Sequence, residues 1–375
     1  MSRGPRRRLA NQAVSAACRL LPAPLEGWGW AMRHEVEAID DDGAALGFAL
    51  DGLRGAVSQA LAFHLTGGST DMSLLQALRR PPVVGLACAI GATGLGLAHL
   101  TMAGAPARYL AVNAGALVIG LLVYSALARA PRLPGTVMLV MGGLLFATAL
   151  FGHAPEGAAR WLMIGPLFIQ PSLILLPMMI VGFARTRTAL ATAGMVAAAL
   201  ALALQPDRAM AGVLVAGLAG LAAFRRDHAT VAALAAAGAG FAATLFQPDT
   251  LPAVAHVDQI LYRAFDIDLL AGLAVVGGSA LLVVPSFVGS REVGQREARV
   301  AFGALWLATI AAAALGNYPT PVVGYGGSAV IGYLLSLAPL PRQREGAAAV
   351  VEPAAARPVD PVHRTDLPTG LYSAG

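Results

Sequence analysis

Between Leu251 and Asp268 the chain reads LPAVAHVDQILYRAFDID, which places His256, Asp258, Arg263, Asp266 and Asp268 within thirteen positions. Carboxylates beside a histidine and an arginine are the side chains of general acid–base work and of anion binding. Long apolar segments with almost no charge lie on both sides. Ionisable groups are costly near a bilayer, so a cluster of them points to function. A polar loop in water between two membrane helices has the same spacing, and this stretch alone leaves both readings open.

Three other short stretches break an Ala- and Leu-rich background. EGAARW ends at Arg160 and Trp161 and leads to Gln170, Pro171 and Ser172. Gln205, Pro206, Asp207 and Arg208 form the second. Asn317 to Pro321 form the third, followed by Gly324, Tyr325, Gly326, Gly327 and Ser328. Each has a plain structural reading. Trp161 beside Arg160 suits an interfacial anchor, and so does Tyr325. Pro171 and Pro206 suit helix ends, and Asp207 suits a helix cap. Gly324, Gly326 and Gly327 suit close helix packing. His256 suits a solvated loop. All four stretches on one face make the stronger case for a site at the end of a helical bundle.

The elements that must position these residues are membrane helices. The chain has 375 residues, 57% hydrophobic and 13% charged, and a mean hydropathy of +0.67. A soluble domain carries about 25% charged residues. The fold expected is all-α, a polytopic bundle of about ten spans at 83–103, 107–128, 134–152, 163–184, 187–206, 208–224, 228–247, 268–288, 298–316 and 320–339. Each is near the length that crosses roughly 30 Å of hydrocarbon. Helix follows because unpaired backbone groups are not tolerated in lipid.

Orientation follows from arginine. With the N-terminus inside, the inner loops hold Arg129, Arg132, Arg185, Arg187, Arg225, Arg226, Arg291, Arg296 and Arg299. The outer loops hold only Arg108, Arg160, Arg208 and Arg263. The excess predicts cytoplasmic N- and C-termini, and it puts the four polar stretches outside. The net charge of +5 then belongs to cytoplasmic loops and anionic lipid, not to nucleic acid. Residues 1–80 mix a basic arm with helical apolar spacing and read as an interfacial or cytoplasmic segment. Residues 341–375, rich in Pro, Ala, Arg and Glu, read as a disordered cytoplasmic tail. Cys18 and Cys88 lie far apart, with no disulfide framework or zinc spacing.

The polar stretches carry a family resemblance. GAARWLMIGPLFIQPS (157–172) resembles the GAxRW…FQPSE stretch of the SEDS family, the FtsW- and RodA-like membrane proteins of cell division and cell shape. LQPDRA (204–209) is similar to their LQPDLG, and HVDQIL (256–261) to the HxDFIF segment of their large outer loop. PTPVVGYGGSAVIGYLLSL (319–337) resembles their PLPFVSYGGSSLLxxLLxL. The matches come in family order and span about 81–340. The resemblance implies a peptidoglycan glycosyltransferase of the bacterial inner membrane. Its substrate would be lipid II or a related polyprenyl-linked sugar, and its partner a transpeptidase (penicillin-binding protein). Asp258 matches the family's catalytic aspartate. Arg160, Trp161, Gln170, Asp207, His256, Tyr325, Gly326, Gly327 and Ser328 fall in the matched motifs. Arg160, Arg208 or Arg263 would face the diphosphate on charge alone. No cofactor is fixed by these motifs, and a divalent cation is compatible with them.

The departures are specific. Where the family has Glu and Lys after QPS, this chain has Leu173 and Leu176. An ion pair lost as a pair leaves no uncompensated buried charge. The outer loop before Asp258 is short, the family's acidic pair is reduced to Asp266, and LQPDLG has become LQPDRA. These changes also fit a catalytically silent SEDS-like scaffold or regulator. A transporter with Asp207 and Asp258 lining a path is a third reading.

Overall fold

The structure is a computed structural model. It describes residues 4–21, 25–65, 81–128, 132–154, 157–165, 167–248, 251–288 and 293–341. The proposed C-terminal tail lies outside the described residues, apart from Pro341.

Three helices come first: α1 (Pro5–Leu20), α2 (Glu26–Ala38) and α3 (Asp42–Leu65). They share a core of their own, in which Ala10, Val14, Ala17, Val36, Ala45 and Ala49 are buried. Arg7 closes this unit by donating to Ile39 O at 2.7 Å.

The apolar helices follow. They are α4 (Pro81–Met102), α5 (Ala107–Leu127), α6 (Gly135–Phe151), α7 (Pro171–Phe183), α8 (Ala189–Leu204), α9 (Arg208–Ala222), α10 (His228–Leu245), α12 (Leu269–Leu281), α13 (Val293–Leu315) and α14 (Gly327–Leu337). A short amphipathic α11 (Ile260–Ile267) precedes α12. Each of the ten expected spans contains one apolar helix. Among the described residues, α4, α5, α10 and the 295–315 part of α13 have both the length and the apolarity to cross a membrane. The other six are apolar but shorter.

Two expected spans begin later than their hydropathy suggests. Residues 162–165 and 167–169 are not helical. They form an antiparallel hairpin, β1 (Leu162–Ile164) and β2 (Leu167–Ile169). Helix α7 starts only at Pro171, with Gln170 in extended backbone, as expected of a residue before proline. Residues 320–326 are likewise a chain of turns, with Val322 at φ 68° and Gly326 at φ 147°. Leu, Val and Phe raise the hydropathy of both segments, but Pro and Gly set their backbone.

Caps fix where several helices start. Thr188, Asp207, Asp227 and Asp268 accept from the N–H groups of Ala191, Met210, Thr230 and Leu270, at the starts of α8, α9, α10 and α12. At the far end from Asp207, Arg187 pairs with Asp227 at 2.8 Å, and Arg187 and Arg225 flank the buried Glu297. The core runs through α7, whose Leu176, Met179, Ile180 and Phe183 are fully buried.

Helices α7 and α14 approach at Gly332. A Cβ there would stand 1.9 Å from Leu173 O, far inside contact distance. Gly332→Ala is therefore expected to part the two helices and destabilise the fold by about 1–3 kcal/mol. Its thermal midpoint in detergent should fall clearly below that of Gly94→Ala, where nothing lies within 4 Å of the added carbon.

Candidate functional site

The Asp258 loop is folded by its own polar groups. Asp258 Oδ2 accepts from the Val254 N–H at 2.8 Å, and the Asp258 N–H donates to Val254 O at 3.0 Å. His256 and Gln259 take left-handed backbone, at φ 64° and 59°. The loop is then sewn to the 317–326 segment. Thr320 N–H donates to Val257 O at 3.0 Å, and Tyr325 N–H donates to His256 O at 2.7 Å. Gln259 Nε2 donates to Asn317 Oδ1 at 2.7 Å, and Asn317 Nδ2 to Leu251 O at 3.1 Å. Asp258 ends 5% exposed. Burial pushes its carboxyl above the ordinary carboxylate range, against the opposing pull of the Val254 N–H and the Arg263 charge.

Helix α5 holds the other side of the 324–326 turn. Asn113 is fully buried and uses both ends of its amide. Its Nδ2 donates to Gly324 O at 2.8 Å, and its Oδ1 accepts from the Gly326 N–H at 3.1 Å. Only glycine readily adopts the Gly326 conformation that presents this N–H. One turn earlier on the same helix face, the Tyr109 ring stacks on Tyr325 with centroids 3.7 Å apart and an 11° tilt. His256 meets Tyr109 edge-on at 6.0 Å, and the Arg108 guanidinium lies 5.4 Å from the centre of the Tyr109 ring. Burial, with Tyr109 alongside, raises the Tyr325 phenol above its ordinary value, and the Arg108 charge opposes this.

The other motif residues form a second, more deeply buried network. Asp207 is 1% exposed. Its Oδ2 accepts from Gln170 Nε2 and from Ser172 Oγ, both at 3.1 Å. Its Oδ1 accepts the Met210 N–H at 3.2 Å and so caps α9. The Gln170 N–H donates to Ser328 Oγ at 3.0 Å. Ser328 stands two residues after Gly326, so Tyr325 to Ser328 joins the two networks. Gly327 lies against α5, where a Cβ would meet Ala116 Cβ at 2.8 Å. Arg160 joins the stretch before α7 to the turn before α9. It is 3% exposed and donates to the carbonyls of Gln205 and Pro206. All four polar stretches are thus joined by hydrogen bonds.

The arginines divide. Arg160 turns to the Gln205–Pro206 backbone, with Trp161 beside its guanidinium. Arg208 donates to Thr244 O at 3.2 Å and Gln247 O at 2.9 Å, tying α9 to the end of α10. Arg263 is exposed on α11, within electrostatic reach of Asp258. Beside this cluster a cavity of about 550 Å³ opens between α9, α10 and α13. Gly212, Val213, Phe241, Ala308 and Ala312 wall it, and Arg208 and Asn317 stand among its polar lining. Among the described residues, no group of three His, Cys, Asp or Glu side chains converges to hold a metal ion.

Sequence reasoning missed α5 as a wall of this cluster. Two signals were available: an asparagine alone in an apolar span, and an Arg–Tyr pair at the same end of the bundle as the four stretches. His99, near the end of α4, was also missed. It is 1% exposed, and neither ring nitrogen has a hydrogen-bond partner among the described residues.

No family model and no curated protein matches this chain. Among solved structures it is similar to the crystal structure of the rod shape determining protein RodA of Thermus thermophilus. The identity is 21%, over 68% of this chain and 93% of that chain, with a TM-score of 0.44. It is similar also to an aspartate-to-alanine mutant of the same protein, at 20% identity over 68% and 94% of the two chains, with a TM-score of 0.44. The helices themselves define an all-α, multi-pass membrane protein.

Proposed function

We propose that this chain is a divergent SEDS-type peptidoglycan glycosyltransferase. It polymerises lipid II, or a related polyprenyl-linked disaccharide, at the outer face of the bacterial inner membrane, with both termini cytoplasmic. Cell division or cell-shape maintenance is its setting, with a transpeptidase as its partner. The observation that carries this reading is the convergence of all four motif stretches on one hydrogen-bonded cluster around Asp258. Asp258 is the base that takes the proton from the acceptor hydroxyl as the new glycosidic bond forms and the lipid diphosphate leaves. Cationic side chains nearby stabilise that leaving diphosphate. The cavity between α9, α10 and α13 suits a stretch of prenyl chain, since its size falls in the range of ligand pockets and its walls are apolar.

A base must be ionised to act. The raised carboxyl of Asp258 loses its ionised form as pH falls through a value above the ordinary carboxylate range of about 4. The acid limb of the polymerisation rate is therefore expected above pH 4. Purified protein and labelled lipid II, assayed across pH, test this: wild type makes polymer with that limb, and Asp258→Ala makes none. Polymer made equally by Asp258→Ala would sink the assignment.

The second reading is a silent SEDS-like scaffold that binds a polyprenyl-linked substrate or a cell-wall partner. One observation favours it. Leu173 and Leu176, where the family has an ion pair, are 5% and 0% exposed and packed into the core.

A further inference from the structure

We propose that Arg108 and Tyr109, at the start of α5, form the subsite that holds the diphosphate of a lipid-linked sugar. The proposal rests on the glycosyltransferase reading for its substrate class, but its observations are separate.

The first observation is how the arginines of this end are occupied. The guanidiniums of Arg160 and Arg208 are turned to backbone carbonyls. Arg108 has no hydrogen bond or ion pair among the described residues, and its one recorded contact is the Tyr109 ring at 5.4 Å. An arginine held by an aromatic face keeps its planar N–H fork for a phosphate.

The second observation is where that fork sits. Tyr109 stacks on Tyr325, and the Tyr325 N–H is fixed to His256 O, two residues from Asp258. The Arg108 charge reaches the Tyr325 phenol, and the Arg263 charge reaches Asp258. Arg108 thus reaches the loop that carries the proposed base through the Tyr109 ring, which meets His256 edge-on, and Arg263, also exposed, stands on α11 directly after that loop. A diphosphate is a dianion or more, and two arginines match it.

The third observation is the wall behind the loop. His99 lies within electrostatic reach of His256, is 1% exposed, and has no partner on either ring nitrogen among the described residues. Thr320, whose N–H pairs with Val257 O, is 2% exposed and has an unpartnered hydroxyl. Buried polar groups are ordinarily hydrogen-bonded, so two unpartnered ones beside one loop point to a polar ligand.

Arg108 is exposed and, among the described residues, touches only the Tyr109 ring, so Arg108→Ala is expected to leave the thermal midpoint unchanged.

The test is equilibrium binding of a polyprenyl diphosphate to the full chain in nanodiscs of neutral lipid, with phosphatidylglycerol titrated in parallel. Arg108→Ala is expected to weaken polyprenyl diphosphate binding about tenfold or more, the loss of one charge-assisted contact. Arg108→Lys recovers part of the loss. Tyr109→Phe, which keeps the ring, binds like wild type, and Tyr109→Ala does not. Wild-type affinity in Arg108→Ala would overturn the subsite, and so would equal affinity for phosphatidylglycerol. If wild type binds in an Arg108-dependent way but makes no glycan, the polymerase reading falls and the subsite stands. If wild type makes glycan and Arg108→Ala binds normally, the subsite falls and the polymerase reading stands.

Discussion

Asp258→Asn is expected to lower the polymerisation rate by about 10²- to 10⁴-fold, the usual contribution of a positioned general base. The substitution keeps the size of the side chain and an oxygen to accept the Val254 N–H, which lies 2.8 Å from Oδ2. The loop therefore keeps its shape, and only proton uptake is lost. The loss should fall on kcat, with KM for lipid II nearly unchanged, because the amide still fills the same place in the site. A variant that lost KM and kcat together through a lower thermal midpoint would instead show that Asp258 holds the loop and does not act on substrate.

The second large effect is expected at Asn113. Asn113→Ala removes a buried amide that serves both Gly324 O and the Gly326 N–H. Each backbone group left without a partner costs about 1–3 kcal/mol, so destabilisation of about 2–6 kcal/mol is expected for the two. The turn that carries Tyr325 would loosen, and Tyr109 would lose its stacking partner. Activity should fall with stability. Asn113→Asp separates the two halves of the clasp: it keeps the acceptor for Gly326 but sets a carboxylate against the Gly324 carbonyl. Thermal unfolding in detergent measures both. An unchanged midpoint in Asn113→Ala would show that water replaces the amide and that the clasp is dispensable.

The sequence made the bundle legible because hydropathy is a property of whole segments. All ten apolar stretches contain helices, and only where proline and glycine override hydropathy, at 162–169 and 320–326, did the helix begin late. The Asp258 loop was legible as a charge cluster, and the motif resemblance tied it to the other three stretches. Its closure on Asn317, Thr320 and Tyr325 was not, because backbone carbonyls such as His256 O and Val257 O leave no trace in side-chain identity. The same blindness made Arg160 and Arg208 look available to a ligand when their partners are carbonyls at turns and helix ends. Asn113 was hardest to read, since its partners lie 211 and 213 residues away. A single asparagine among Ala, Leu and Val says that a polar partner exists, but not which one.

Whether this end of the bundle performs chemistry or only binds is decided most directly by wild-type protein alone. Purified protein in lipid, supplied with labelled lipid II and a candidate transpeptidase partner, is separated by gel after incubation. The account predicts a ladder of glycan polymer that is absent from the Asp258→Asn sample. Lipid II recovered intact from wild-type protein that demonstrably binds it would contradict the account and leave the scaffold.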